Sequence, residues 1–182
     1  FHANTEFFAD YGVYNVDMTL PKNFVLGATG VKYHEVENPD GTKTHYWHAE
    51  DVHDFAWTCS PHYKIAKDQW QDIELECLYY DAAQSVVPRY FDAIKHTLDF
   101  YKDWVYLYPF KHITIVDPPY NAGGAGGMEY PTLFTAGSVG MPFYESKENK
   151  FAEVVVVHEF GHNYWYFIMG SNEFEEAWLD EG

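Results

Sequence analysis

Cysteine is nearly absent from this chain, with two residues, Cys59 and Cys77, among 182. That excludes a disulfide scaffold, and their separation excludes a CxxC metal or redox motif. Whether the two are bridged or packed as free thiols stays open at this level. Basic side chains are scarce as well, 11 against 28 acidic ones, for a net charge of −17. A surface of that sign repels phosphate backbones and anionic headgroups, so nucleic acid is excluded as a natural partner. No run approaches the ~20 apolar residues that span a bilayer, so the chain carries no membrane segment, and residues 1–30 lack the basic-then-apolar order of a signal peptide. Internal repeats and low-complexity tracts are missing too. What remains is a globular composition, 47% hydrophobic, which is enough to bury a substantial core.

The pattern of that hydrophobicity changes along the chain. From Val13 to Leu20 the residues alternate, with Tyr14, Val16, Met18 and Leu20 on one side and Asn15, Asp17 and Thr19 on the other, which is a half-buried strand ended by Pro21. Further strands are expected at 23–28, 31–37, 42–47, 52–58 and 71–79, with a turn at "NPDG", residues 38–41. Val87, Phe91, Ile94, Leu98, Tyr101 and Val105 then recur at helical spacing, which predicts one helix of about 20 residues. A short strand "HITIV" at 112–116, a glycine-rich loop, a strand-like run "MEYPTLFTA" at 128–136 and an apolar helix from Phe151 to Met169 follow. The expected fold class is α+β, with a mostly antiparallel β domain over 1–80 and a second domain over 81–182. The first residues, "FHANTEFFADYGVY", are already in strand-like pattern, and the chain reads as a piece of something longer.

The chemistry concentrates at the end. In "HEFGH", His158 and His162 are four apart on a helix, so they point within ~40° of each other and stack one turn apart. Both imidazoles reach one ion. Glu159 sits ~100° round from His158, too far to be the natural third ligand and well placed to touch a water on that ion. Chance would produce such a pentapeptide roughly 0.04 times in a chain of this composition, so the next twenty residues matter. Gly170, Ser171 and Asn172 form a helix stop and a new start, with Asn172 as N-cap and Glu175 three residues on. The outgoing and returning paths are about 12 and 13 Å at the helical rise, which brings Glu181 level with His162 on an antiparallel helix ~8 to 10 Å away. Two histidines, one carboxylate and an open fourth position define a catalytic Zn2+ site, since structural sites are closed by four ligands rich in cysteine.

"HEFGH", eighteen further residues and then Glu181, preceded by "GGMEY" at 126–130, resembles the aminopeptidase N-like zinc metallopeptidases of the gluzincin group. The resemblance spans most of the chain and implies the first half of a thermolysin-like α/β catalytic domain, with a zinc-binding helical hairpin, in residues 81–182. It implies His158, His162 and Glu181 as zinc ligands and Glu159 as general base. Glu129 matches the glutamate that binds a substrate's free α-amino group, with Gly126, Gly127, Met128 and Tyr130 around it. A peptide substrate can add as a strand to such an edge. Tyr130 stands where the family usually has Asn. The tyrosine that the family places downstream of the third ligand, to stabilise the tetrahedral intermediate, would lie beyond Gly182, so this fragment by itself is expected to bind zinc weakly and turn over little.

The function implied is zinc-dependent peptide-bond hydrolysis, removing N-terminal residues from peptides through a metal-activated water. The alternatives are a non-catalytic scaffold of the same fold, or a gluzincin with endopeptidase or epoxide hydrolase activity. Asp180, beside the third ligand, is placed to orient that ligand or a histidine. His45 and His48 lack a third ligand. Asp117 reads as a turn residue, and Glu173, Glu175 and Glu176 as the solvated, dipole-favoured first turn of a helix. The acidic composition and lack of basic patches fit a cell-envelope or secreted enzyme, and a cytosolic one as well.

Overall fold

In the computed structural model, residues 8–119, 121–122, 125–137 and 146–182 are described. Among the described residues, ten strands, four helical segments and a 3-10 turn at Asp81–Ala83 make a mixed α and β fold whose strand pairs are mostly antiparallel. The first five strands are β1 (Gly12–Pro21), β2 (Val25–Ala28), β3 (Val31–Glu37), β4 (Thr42–Val52) and β5 (Trp57–Ser60), and the next two are β6 (Lys64–Trp70) and β7 (Ile73–Tyr79). Helix α1 (Val87–Trp104) follows, then β8 (His112–Val116), β9 (Gly127–Tyr130) and β10 (Leu133–Ala136). The long helix α2 runs over Phe151–His162 and continues as a π-helical turn over Asn163–Ile168. Two single turns, α3 (Glu173–Glu176) and α4 (Trp178–Glu181), end the chain.

Among the described residues the strands form three sheets, in the orders β1-β4-β3, β2-β5 and β6-β7-β8-β10-β9. β1 alternates half-buried and exposed residues as its sequence pattern requires, and β4 pairs with it from Thr42 to Val52, five residues longer than the expected strand. β5 therefore begins later than expected, at Trp57. The expected boundary near residue 80 does not separate sheets, because β7 on one side hydrogen bonds in parallel to β8 on the other. The physical reason is a strand-helix-strand crossover: α1 carries the chain over the sheet so that β8 returns beside β7. The change of hydrophobic period at residue 80 marks a change of secondary structure inside one sheet. β6, hidden in sequence by its polar residues, is the edge strand beside β7.

The five-stranded sheet is the structural centre. Leu75, Cys77, Ile113, Ile115, Phe134 and Ala136 face α1 and α2 from one side, and Ile94 and Leu98 of α1 are fully buried against them. Each such aliphatic side chain contributes about 1.5 to 3 kcal/mol of transfer free energy. On the other face Leu78, Val116 and Leu133 pack under Val25, Ala56 and Tyr130. Close approach there depends on Gly27, where a Cβ would come within 2.4 Å of Leu78. Asp117 is fully buried at the end of β8 and accepts a 2.6 Å hydrogen bond from the Tyr90 hydroxyl of α1, so it ties helix to strand in addition to ending the strand. Cys59 and Cys77 are both free thiols. Among the described residues no helix is long and apolar enough to cross a membrane.

Candidate metal centre

α2 places His158 and His162 one turn apart on one face, as their spacing dictates. Their Nε2 atoms approach to 3.2 Å. The Glu181 carboxylate on α4 lies 3.5 Å from the first and 3.9 Å from the second. Tetrahedral ligands of a metal bound at 2.0–2.1 Å keep ~3.3 Å from one another, so the three edges of this triangle fit one ion with shifts of at most about 0.6 Å. The route by which Glu181 returns differs from expectation. The chain turns at Gly170, whose φ of +69° and contact with Tyr11 leave no room for a Cβ, but the return is two single turns broken at Ala177, not one antiparallel helix. Asn172 occupies the N-cap with extended backbone and makes no capping bond through its side chain.

His162 is held from behind. Its Nδ1 lies 2.5 Å from Asp180 Oδ1, with side-chain exposures of 3% and 1%. A contact this short to a carboxylate fixes the ring proton on Nδ1 and leaves the Nε2 lone pair free for a cation. Burial acts to lower the His162 pKa, but the Asp180 hydrogen bond and the charges of Asp180, Glu129 and Glu181 outweigh it and raise the value. His158 and Glu181, by contrast, are 53% and 42% exposed, so the site opens to solvent on their side. A cavity of about 490 Å³ lies there, bounded by Tyr101 and Trp165.

Glu159 is buried, and its Oε2 has no hydrogen-bond partner among the described residues. Burial, followed by the negative charge of Glu129, pushes its pKa up to about 7. That is the range in which a carboxylate both takes and releases a proton near neutrality. The strand opposite it is β9, where a Cβ on Gly127 would come 2.6 Å from Glu159 Oε1, so with glycine there the strand lies against that carboxylate without displacing it. Glu129, Glu159 and His162 offer ligand atoms within 4.8 Å of one another. Glu129 is itself buried, and burial raises its pKa.

"MEYPTLFTA" is not one strand but a hairpin, β9 and β10, turning at Pro131 and Thr132. β9 is the edge of the five-stranded sheet. Glu129 pairs with Phe134 and so faces the helices, whereas Met128 and Tyr130 face the other side, where Tyr130 lines a cavity of about 520 Å³ together with Trp57, Tyr63 and Pro118. The Gly126 carbonyl accepts from the Gly137 amide across the hairpin mouth. Gly123 and Gly124 of the glycine-rich loop lie outside the described residues, as do residues 1–7 of the strand-like opening.

Glu173 departs from expectation. It is 1% exposed, not solvated, and shares a buried group with Glu129 and Asp180, whose ligand atoms lie within 4.8 Å. The short reversal after Gly170 aims the first residue of α3 inward, and only Glu175 and Glu176 face water. His45 and His48 fall on opposite faces of β4, one buried and one bonded to Asn15, and do not converge. Asn163, one position past the motif, is a site neighbour that sequence reading passed over. Its spacing of four from Glu159 was the available signal. No model of a known protein family matches this chain, and no curated protein matches it.

Proposed function

We propose that this protein is a zinc-dependent peptidase that removes N-terminal residues from peptides, similar to the aminopeptidase N-like gluzincins. The observation that carries the reading is the convergence of His158, His162 and Glu181 on one point, with Asp180 fixing the inner imidazole. His158, His162 and Glu181 would hold the ion. Bound there, zinc would supply Lewis acidity, polarising a carbonyl and acidifying water. Glu159 takes the proton of the attacking water at its carboxylate and hands it to the leaving amine, which its pKa near 7 suits. Glu129, a carboxylate on the edge strand, pairs with a substrate ammonium, and the edge of β9, unpaired among the described residues, hydrogen bonds an extended peptide. The five-stranded sheet with α1 and α2 is read, on the same grounds, as the first part of a thermolysin-like domain.

The test is metal analysis of a longer form of the protein that continues past Gly182, then hydrolysis of aminoacyl chromogenic substrates beside their N-acetylated forms. About one zinc per chain and cleavage of the free-amine substrates alone are expected. Equal cleavage of blocked and free substrates would remove the exopeptidase assignment, and no zinc uptake would remove the metal.

A further inference from the structure

Glu159 and Asn163 are four residues apart on α2 and both face the β9–β10 hairpin. Glu159 lies against Gly127 at one end of β9, and Asn163 reaches the turn at the other. The Asn163 side-chain oxygen accepts two buried hydrogen bonds, 3.0 Å from the Tyr108 hydroxyl and 3.1 Å from the Thr132 amide. Thr132 has a φ of +59°, a left-handed conformation that a β-branched residue resists. The turn Pro131–Thr132 has the φ signs of a type II turn, whose second position ordinarily takes Gly or Asn. A threonine persists there because its neighbours over-determine it. Its amide donates to Asn163, its hydroxyl accepts from the Gly30 amide at 2.8 Å, and its carbonyl accepts from the Thr114 amide at 2.8 Å. Those partners belong to α2, to the β2–β3 turn and to β8.

The hairpin has little latitude. Toward α2 there is little room, since even a Cβ on Gly127 would come 2.6 Å from Glu159 Oε1. Moved away, Glu129 leaves the group it forms with Glu159 and His162. We propose that Asn163 is a positioning residue: by clamping the strained Thr132 turn to the helix that carries Glu159, it holds β9 and Glu129 in register with the metal centre. The claim rests on the peptidase reading for its kinetic consequence, but its structural consequence does not.

Asn163→Ala in the full protein, zinc-loaded, is the direct test, with Asn163→Leu as a variant of similar volume should alanine fail to fold. Zinc content stays at the wild-type level, since no ligand is touched. KM for free-amine aminoacyl substrates rises about tenfold or more, while kcat changes by less than about threefold, because the damage falls on substrate placement. Amide hydrogen exchange of Gly127–Tyr130 accelerates in the same variant. Asn163→Asp keeps the acceptor and returns KM to within about threefold of wild type. Tyr108→Phe removes the other donor and leaves KM and β9 exchange unchanged. Unchanged exchange at β9 in Asn163→Ala, or an equal KM effect in Tyr108→Phe, would overturn the clamp. A wild-type protein that binds zinc and cleaves no aminoacyl substrate would sink the peptidase reading instead, and the exchange experiment would still decide this one.

Discussion

Two imidazoles in this protein, His162 in the candidate metal centre and His53 where the end of β4 meets the π-helical turn of α2, are both shielded from water and shift in opposite directions. His162 has a carboxylate at 2.5 Å, and its pKa is raised in spite of burial. His53 is 1% exposed, neither ring nitrogen has a hydrogen-bond partner among the described residues, and burial lowers its pKa to about 4. Its ring packs 4.2 Å from that of Tyr166, centroid to centroid, and within 5.6 Å of Phe167. The nearest carboxylate oxygen, on Asp54, is 3.9 Å away. One histidine therefore stands among groups that could hold a cation, and the other serves as a neutral aromatic filler. Burial does not distinguish them. The hydrogen-bonded carboxylate of Asp180, with the charges of Glu129 and Glu181 beside it, does.

That contrast can be broken or sharpened by substitution, and the largest effect belongs to the metal side. Glu159→Gln keeps the shape and removes the proton acceptor, so hydrolysis falls by about 10² to 10⁴ with zinc content unchanged, measured on aminoacyl substrates. Asp180→Asn weakens the hold on His162 and lowers zinc affinity about 10- to 100-fold, read by competition with a chelating dye. If zinc affinity did not move, the His162–Asp180 pair would be no more functional than His53.

His53 gives the next effect, on stability. It stays neutral in the folded protein down to about pH 4, whereas the unfolded chain takes up a proton near pH 6.5. The unfolded state thus binds more protons between those values, and stability is lost as pH falls from about 6.5 to about 4, by on the order of 3 kcal/mol. His45 and His112, also lowered by burial, act in the same direction. His53→Phe should flatten this acid limb in urea titrations across that window, and an unchanged slope would show that the ring is not the buried neutral group described. Smallest of all is Lys32→Ala. The Lys32–Glu35 pair is about 42% and 41% exposed, and its loss should cost less than about 1 kcal/mol.

The elements governed by local periodicity were legible in the sequence. The apolar spacing of α1 and the alternation of β1 follow from hydrogen bonds a few residues apart and from one buried face. The grouping of His158, His162 and Glu181, which could hold a metal ion, was legible for the same reason, since i and i+4 on a helix must share a face, and Gly170 marks the reversal that returns Glu181. β6 was not legible, because an edge strand can expose most of its side chains and so loses its alternation. Nor was the hairpin: Pro131–Thr132 carries none of the Asn-Gly or Asp-Gly signal of a two-residue turn. Glu173 read as solvated because its acidic neighbours are, and nothing local distinguishes it from Glu175 and Glu176.

By itself, then, the sequence determined which side chains could meet a cation and on which helix, because backbone hydrogen bonding imposes the 3.6-residue repeat wherever a helix forms. Tertiary structure decided what surrounds them. It put Gly127 against Glu159, turned Glu129 and Glu173 inward, and held Thr132 in a conformation its own side chain disfavours. Those outcomes depend on partners 31 and 102 residues away along the chain. A turn that is strained in isolation exists only where distant groups, already placed by the packed sheet and helices, offer it more hydrogen bonds than the strain costs.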